Sequence, residues 1–168
     1  GFGMGDSLIA MAQQHPEKDY IGIDVHPPGI GNILRDISTH QLDNLRVMQG
    51  DAMEILDSCF FDKDLDRIQV FFPDPWHKKR HHKRRMIQPD FVTTLASKMR
   101  QGAVLHLATD WENYAEQMLE VMSASTEFSN LAGEGNYSGS GERAETKFER
   151  RGRRLGHGVW DLLFEKRE

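Results

Sequence analysis

Residues 70–85 read VFFPDPWHKKRHHKRR, an apolar run followed by two prolines and a dense basic segment. The apolar run is β-branched and aromatic, which predicts a strand covered on both faces of a sheet. Pro73 and Pro75 cannot donate to a ladder, so the strand ends there, and they bracket one acid, Asp74. Ligands of open α/β sheets bind beyond the carboxyl ends of the strands. The stretch therefore predicts an active-site acid, with the ring of Trp76 beside it, next to a surface that binds a polyanion.

The charge of the chain is divided unevenly. Residues 77–85 contribute +6 with three histidines and no acid, and residues 147–154 (KFERRGRR) contribute +4, within a net charge of −5. The other 151 residues therefore carry −15. An acidic body with two basic segments is typical of a protein that binds a phosphate backbone at a defined place. Neither segment has the apolar face that a membrane-surface helix requires.

Each of these features also has an ordinary structural explanation. An Asp-Pro pair after a strand is commonly a turn, and a tryptophan is more often a packing residue than a base-stacking platform. A basic run is usually a solvated surface loop. It is their combination within residues 70–85 that favours a functional site.

Length and composition indicate one domain over residues 1–168. No apolar run approaches the ~20 residues of a membrane span, and no signal peptide is recognisable. Cys59 is the only cysteine, which excludes an internal disulfide, and we expect it to be buried in a cytoplasmic protein. The histidines show no ligand pattern for a metal, and none is expected. The chain starts inside a glycine motif rather than at Met, so we expect it to be N-terminally incomplete.

Strand and helix patterns alternate along the chain. Strands are predicted over 20–25, 45–48, 68–72, 103–108 and 158–164, with a short edge strand within 123–131; helices are predicted over 6–14, 29–41, 52–56, 89–100 and 111–122. The glycine- and serine-rich residues 133–145 predict a mobile loop. This alternation predicts an α/β fold with a doubly wound, mostly parallel sheet.

Gly1, Gly3 and Gly5 form a glycine-rich loop before the first helix, and Asp24 ends the strand that follows it. Gly5 and Asp24 are 19 residues apart, close to the spacing between a nucleotide-binding loop and the carboxylate that binds ribose hydroxyls. A dinucleotide fingerprint needs Gly-x-Gly-x-x-Gly, and Asp6 would repel a pyrophosphate at the helix N-terminus. S-adenosylmethionine carries a sulfonium cation and no phosphate, so electrostatics favours it as the cofactor.

Two further acids follow predicted strands. Asp51, just before Ala52, either caps the next helix or accepts a hydrogen bond from an adenine amino group. Asp110 lies in the segment Thr109-Asp110-Trp111 at the end of the fifth strand. Both acids are candidates for the ligand-binding edge of the sheet.

The segments GFGMG, GIDVH, LRVMQGDA, FFPDPWHKKRHHKRR, ATDWENYA and TKFERRGRRLGHGVWDLLFE together resemble the bacterial tRNA (guanine-N(7)-)-methyltransferase family, over essentially the whole chain. The resemblance implies a seven-stranded, Rossmann-like class I methyltransferase fold whose first strand lies upstream of Gly1. It also implies methyl transfer from S-adenosylmethionine to nitrogen 7 of a guanosine in the tRNA variable loop, with tRNA as the partner.

The resemblance assigns roles to individual residues. Asp74 is expected to serve both cofactor binding and catalysis. The other expected contacts are with the cofactor (Gly1, Gly3, Gly5, Asp24, Asp51 and Ala52), with the substrate (Lys78, Asp110, Thr146, Lys147, Phe148 and Glu149) and with RNA (Arg80, His81, His82, Lys83, Arg84 and Arg85).

Nitrogen 7 of guanine has a lone pair and no proton, so no base is needed to free the nucleophile. The transfer moves positive charge onto the purine, and a carboxylate that accepts hydrogen bonds from its Watson–Crick edge would stabilise that charge. We therefore expect Asp74 to orient and stabilise rather than deprotonate, with Asp110 as the second candidate. Duplex RNA hides nitrogen 7 in its deep groove, which favours a splayed loop base stacked on Trp76.

Three other functions fit part of the sequence. A methyltransferase of small molecules or proteins does not need the basic segments. A non-catalytic tRNA-binding protein on a degenerate methyltransferase fold does not need four strand-end acids, and binding of S-adenosylmethionine would separate it from an enzyme. A dinucleotide-dependent oxidoreductase disagrees with the glycine spacing. Nothing in the sequence indicates an obligate protein partner or a particular oligomeric state.

Overall fold

The computed structural model describes residues 1–141, 143, 149 and 158–168. The helices are α1 (Asp6–Gln14), α2 (Pro27–His40), α3 (Ala52–Cys59), a 3-10 helix (Lys79–Arg84), α4 (Pro89–Lys98) and α5 (Glu112–Ala124). The strands are β1 (Tyr20–Asp24), β2 (Leu45–Gln49), β3 (Leu65–Phe71), β4 (Met99–Thr109), β5 (Phe128–Asn130) and β6 (Trp160–Lys166). The predicted α/β alternation is confirmed. In this part of the chain, none of the helices has the length and apolar character needed to cross a membrane.

The strands form two sheets instead of the single, mostly parallel sheet that the alternation predicts. β1 and β2 pair in parallel, and a four-stranded sheet has the order β3-β4-β6-β5. Within it β3 runs parallel to β4, whereas β6 runs antiparallel to both β4 and β5. Among the described residues β1 and β3 each pair along one edge only, which is why the two sheets are not joined there.

β3 is less buried than its apolar sequence predicts. All seven of its residues are exposed or half-buried, whereas the last five residues of its neighbour β4 are buried. The reason is the position of β3 at the edge of the four-stranded sheet, with β4 on one side. Ile68 and Val70 still pack against the larger of two hydrophobic cores.

Two hydrophobic cores hold these elements together. The smaller core joins α1, α2 and β2 through Leu8, Ile9, Met11, Ala12, Ile33 and Leu45. The larger core surrounds β4, where Leu105 and Leu107 have no exposed surface, and receives side chains from α3, α4, α5, β5 and β6. Leu56 of α3 belongs to this larger core, although α3 directly follows β2 of the other sheet. α3 therefore links the two-stranded sheet to the four-stranded one.

A buried ionic network lies where β4 meets β6. Nε2 of His106 is 2.7 Å from Oδ1 of Asp161, and the guanidinium of Arg143 donates to both oxygens of Asp161, at 2.9 and 2.8 Å. Arg143 also pairs with Glu149, and its Cζ lies 5.6 Å from the ring centre of Phe71. Burial alone would raise the pKa of the Asp161 carboxyl, but the hydrogen bonds from His106 and Arg143 outweigh it. The net pKa of Asp161 lies below its ordinary value.

Two local features differ from the sequence predictions. Cys59 is exposed rather than buried: it is the last residue of α3, and the neighbouring Phe60, not Cys59, packs against the larger core. Residues 79–84 of the basic segment form a 3-10 helix, hereafter the basic helix, where the composition predicts a loop.

We expect Asp161→Asn to destabilise the protein by ~1–3 kcal/mol at neutral pH, because Arg143 keeps Glu149 as its counter-charge but loses the charged hydrogen bonds to Asp161. The pKa of Asp161 is lowered on folding, so its stabilising contribution is present above the unfolded pKa, about 4, and is lost as the pH falls through the folded pKa. The difference in unfolding free energy between variant and wild type should therefore shrink in acid. Urea unfolding at a series of pH values measures it.

Asp66→Asn is the control for this experiment. Asp66 is an exposed acid paired with Arg100 at 2.9 Å, and such a pair contributes no more than ~1 kcal/mol. An Asp161→Asn penalty that is as small as that of Asp66→Asn, or that does not change with pH, would contradict the stabilising role of the network.

Candidate active site at the strand ends

The glycine-rich loop and α2 are in close contact. Gly3 and Gly5 have φ angles of 59° and 88°, which glycine adopts without strain, and the N–H of Gly5 donates to the carbonyl of Phe2 at 3.0 Å. Gly29, in the first turn of α2, leaves no room for a side chain, since a Cβ there would lie 2.2 Å from the carbonyl oxygen of Gly3. Glycines on both sides of this contact therefore set the path of the loop.

The carboxylate of Asp24 ties the glycine-rich loop to the end of β1. Its Oδ2 accepts from the N–H of Gly3 at 2.8 Å, its Oδ1 accepts from the N–H of His26 at 2.9 Å, and the residue is buried. A carboxylate oxygen has two lone pairs, so each oxygen keeps a further acceptor position. Asp24 can therefore shape the loop and bind hydroxyl groups at the same time.

Asp51 caps α3, which confirms the structural alternative for this acid. Its Oδ1 accepts from the N–H groups of Met53 and Glu54, at 2.9 and 3.3 Å. The side chain is exposed, and no described residue donates to its Oδ2. The parallel register pairs Asp24 with Gln49, so Asp51 lies just beyond the same sheet edge as Asp24. The cap thus leaves one oxygen available to a ligand.

Three exposed apolar side chains flank these acids and were missed by the sequence reasoning. Met4 is 50% exposed, Val25 is 64% exposed and Met53 is 43% exposed. Val25 directly follows Asp24, and Met53 is two residues beyond Asp51. The signal that could have found Val25 and Met53 is an exposed apolar residue one or two positions after a strand-end acid. Apolar side chains beside a few polar groups are typical of small-molecule sites.

β3 and β4 bring Asp74 and Asp110 to the same end of the four-stranded sheet, beyond the carboxyl ends of both strands. Phe71 pairs with Ala108 in the parallel register, so the two acids follow the paired positions by three and two residues. The N–H of Phe72 continues the ladder by donating to the carbonyl of Ala108 at 2.8 Å. Both acids are exposed. Acids that belong to separate sequence motifs therefore share one surface.

The loop that carries Asp74 has a strained backbone. Phe72 and Trp76, on either side of it, have φ angles of 52° and 45°, in the left-handed region that bulky residues rarely adopt. Each such residue costs ~1–3 kcal/mol and persists only where its surroundings enforce it. Tertiary contacts, rather than the local sequence, therefore fix the position of Asp74.

Trp76 lies against the basic helix. Cζ of Arg84 is 5.0 Å from the centre of the Trp76 ring, and the ring of His81 is 6.0 Å away, edge-on. A cation therefore covers one face of the Trp76 ring, and the residue is half-buried. The exposed cations of this region are Lys78, Lys79, Arg80, Lys83 and Arg84, whereas His81 and His82 are half-buried. No group of three or more His, Cys, Asp or Glu in the described ranges is arranged to hold a metal ion.

Arg85 differs from the other cations of the basic segment. It is 2% exposed, and its guanidinium donates to the carbonyl of Pro75 and to the side chains of Asn113 and Gln117 in α5. Burial lowers the pKa of Arg85, and the neighbouring hydroxyl of Tyr114 acts in the opposite direction. This position disagrees with the RNA contact expected of Arg85, because a covered guanidinium cannot reach a phosphate.

The last group of expected substrate contacts is only partly described. Thr146, Lys147 and Phe148 lie outside the described residues. Glu149 is buried, and its carboxylate is paired with Arg143. Its side chain therefore faces the ionic network between β4 and β6 rather than the surface.

We expect Gly29→Ala to weaken binding of S-adenosylmethionine roughly 10-fold or more, because the added methyl group would displace the Gly3 carbonyl and the loop with it. Gly31→Ala in the same helix is the matched control, since nothing lies within 4 Å of its Cβ. It should keep the affinity and raise stability by ~0.5–1 kcal/mol. Isothermal calorimetry compares the two, and equal affinities would show that this loop does not line the cofactor site.

Comparison with known proteins gives close relatives over nearly the whole chain. A family model described as "Putative methyltransferase" matches residues 1–162. The tRNA (guanine-N(7)-)-methyltransferase of Marinobacter nauticus is 59% identical over 165 residues, which are 98% of this chain and 69% of that protein. The protein of the same name from Alcanivorax borkumensis is 58% identical over 168 residues, covering 99% of this chain and 70% of that protein.

Solved structures of methyltransferases share the fold at low sequence identity. A putative O-methyltransferase from Klebsiella pneumoniae has a TM-score of 0.69 at 14% identity, covering 100% of this chain and 71% of that chain. A putative methyltransferase from Streptococcus mutans in complex with SAH has a TM-score of 0.62 at 9% identity, covering 99% and 85%. These likenesses show the Rossmann-like methyltransferase fold alone. The family match and the close relatives go further: this chain belongs to that methyltransferase family and, within it, to the tRNA (guanine-N(7)-)-methyltransferases.

Proposed function

We propose that this protein transfers a methyl group from S-adenosylmethionine to nitrogen 7 of a guanosine in the variable loop of tRNA. The observation that carries the proposal is the 59% identity, over 98% of the chain, to a relative named tRNA (guanine-N(7)-)-methyltransferase. The geometry agrees with it. Two pairs of acids lie at the carboxyl ends of parallel strands, and an exposed basic helix follows one of them.

The side chains beyond β1 and β2 fit S-adenosylmethionine better than a nucleotide with phosphates. Asp24 and Asp51 are joined there by Asp6 in the first turn of α1, and these acids would repel a phosphate. In this assignment Asp24 accepts hydrogen bonds from the ribose hydroxyls. Asp51 and the backbone N–H of Ala52 meet the polar edge of the adenine, while Val25 covers its ring.

The residues beyond β3 and β4 act by charge rather than by proton transfer. When bound, S-adenosylmethionine supplies an electrophilic methyl group on a sulfonium cation. The lone pair of nitrogen 7 would form the new bond to the methyl carbon while the methyl–sulfur bond breaks and a neutral thioether leaves, so the protein needs no base. The carboxylate of Asp74 accepts hydrogen bonds from the Watson–Crick edge of the guanine and stabilises the positive charge that the ring gains. Asp110, at the neighbouring strand end, is the second acceptor.

The exposed cations beside this site suit the backbone of a tRNA. Arg80, Lys83 and Arg84 of the basic helix hold phosphates, and Lys78 at its N-cap contacts the substrate. Trp76 receives a base that has left its stack, which exposes nitrogen 7 to the methyl donor. The unpaired purine in a loop is therefore the accessible target.

We also propose the seven-stranded sheet that the family resemblance implies, with residues 1–168 acting as one methyltransferase domain. The support is the pairing pattern: within the described ranges β1 and β3 each have one unpaired edge. A parallel strand that pairs with both edges would join the two sheets. It would also place the two pairs of strand-end acids along the carboxyl ends of one continuous sheet, where a cofactor and a base can meet.

Incubation of the protein with tRNA and labelled S-adenosylmethionine should place the label in 7-methylguanosine, as detected by nucleoside analysis of the digested tRNA. Asp74→Asn should lower the single-turnover rate roughly 100- to 1000-fold, because the amide keeps the shape of the side chain but lacks its charge. Asp43→Asn is the matched control. Asp43 is also exposed but precedes β2, at the end of the strand opposite to Asp51, so its rate should equal the wild-type rate.

Two outcomes would contradict this assignment. Transfer by Asp74→Asn at the wild-type rate would remove Asp74 from the chemistry. A protein that binds tRNA while calorimetry detects no binding of S-adenosylmethionine would be a non-catalytic tRNA-binding protein on a degenerate methyltransferase fold.

Replacement of both Arg80 and Lys83 by alanine should weaken tRNA binding and flatten its salt dependence. Each lost phosphate contact removes ~0.7 from the slope of log K against log salt for a single strand, so the double variant should lose about 1.4. Arg100→Ala is the control, because Arg100 is exposed but lies in β4 at the end opposite to Asp110. Filter binding over a salt series measures the slopes, and an unchanged slope in the double variant would exclude direct phosphate contact.

A further inference from the structure

The side chain of Arg85 makes four hydrogen bonds to the protein. Its Nε donates to the carbonyl of Pro75 at 2.8 Å, and its Nη1 donates to Oε1 of Gln117 at 2.6 Å and to the carbonyl of Asn113 at 3.4 Å. Its Nη2 donates to Oδ1 of Asn113 at 3.1 Å. The face of the guanidinium lies 4.7 Å from the ring centre of Tyr114.

These contacts join three segments of the candidate site. Pro75 directly follows Asp74 in the strained loop, and α5 begins two residues after Asp110. Arg85 itself is the C-cap of the basic helix. One side chain therefore links both strand-end acids of the four-stranded sheet to the segment that carries the exposed cations.

Ile87, two residues after Arg85, is also hydrogen-bonded to α5. The N–H of Ile87 donates to the hydroxyl of Tyr114 at 3.1 Å, and Nε2 of Gln117 donates to the carbonyl of Ile87 at 3.3 Å. Gln117 thus accepts from Arg85 and donates to Ile87, so its amide is fixed by both. The acceptors that surround Arg85 are held in place before any ligand binds.

The acceptors of Arg85 indicate that this side chain fixes the geometry of the loop rather than adding stability to the fold. Among the described residues, the partners of Arg85 are neutral oxygens and an aromatic ring, and no carboxylate lies within ion-pair distance of it. Burial of a cation without a counter-charge costs free energy, and it is tolerated where hydrogen bonds are well placed. A guanidinium presents its donors in a rigid planar fork, which a lysine cannot reproduce.

From these contacts we propose that Arg85 is a positioning residue for methyl transfer. Its hydrogen bond to Pro75 holds the loop between Phe72 and Trp76 in the left-handed backbone conformations at its two ends, and its bonds to α5 fix that loop relative to Asp110. It makes no contact with tRNA. This inference rests on the proposed function, because it assigns Asp74 and Asp110 to the same reaction.

The test compares Arg85→Lys with Arg100→Lys. Arg100 is a matched control, since its guanidinium also bonds two backbone carbonyls and one side chain, those of Lys63, Asp64 and Asp66, but at the other end of β4. Arg85→Lys should lower kcat roughly 10- to 100-fold, as expected for a displaced charge at the reacting ring. The KM for S-adenosylmethionine, the Kd for tRNA and the salt slope should stay within about twofold of wild type. Arg100→Lys should leave all four quantities unchanged.

Hydrogen exchange supplies a readout that does not depend on activity. The amide of Phe72, which donates to the carbonyl of Ala108 at 2.8 Å, should exchange faster in Arg85→Lys and at the wild-type rate in Arg100→Lys, because only the first substitution frees the loop. Gln117→Ala is the second variant, should Arg85→Lys fail to fold. It removes one acceptor of Arg85 and should change kcat and exchange in the same direction, by less.

Two results would overturn the inference. Unchanged kcat and unchanged loop exchange in Arg85→Lys, or in Gln117→Ala where only that variant folds, would show that the contacts do not position the loop. A drop in tRNA affinity with a salt slope smaller by ~0.7 and an intact kcat would make Arg85 a phosphate contact. If the wild-type protein transfers no methyl group but loop exchange is still accelerated in Arg85→Lys, the proposed function is rejected. The conclusion that Arg85 holds the loop in place would remain valid.

Discussion

The parallel pairing of β3 with β4 is the interaction on which the candidate site depends. It sets Phe71 beside Ala108, so the segments that follow these residues emerge at one edge of the sheet. β4 is in turn fixed by β6 on its other side and by the larger hydrophobic core around Leu105 and Leu107. That Asp74 and Asp110 follow the same end of the sheet is therefore a consequence of the β3–β4 pairing and of the core that holds β4. Neither sequence motif could produce it alone.

The order of the elements was predictable because it depends on local periodicity and on the positions of glycine and proline. The acids at strand ends were predictable for the same reason, since each follows an apolar run. The pairing of the strands was not predictable in this way. That β6 enters antiparallel, and that β3 is an edge strand in the described residues, depends on contacts between segments far apart in the chain. The local periodicity of the sequence contains no information about these contacts.

The basic segment shows the same limit at the level of single side chains. Arg84 and Arg85 are adjacent and chemically identical, yet Arg84 is exposed beside Trp76 and Arg85 is buried against α5. The basic helix ends between them, and the acceptors for Arg85 come from Asn113 and Gln117, which lie much later in the sequence. Composition predicts how much charge a segment carries. It does not predict which charge turns inward.

The reaction explains why this division of charge matters. Nitrogen 7 of guanine needs no base, so in the proposed mechanism the enzyme has no proton to move and contributes by the placement of charge. A misplacement by about 1 Å can cost a factor of ~100 in rate, which makes the rigidity of the Asp74 loop as important as its carboxylate. That loop is strained at Phe72 and Trp76, and a strained loop keeps its shape only through contacts outside it. In the proposed mechanism Arg85 and the exposed cations therefore have complementary tasks: Arg85 fixes the loop of Asp74 in place, and the exposed cations hold the RNA and bring the base to that loop.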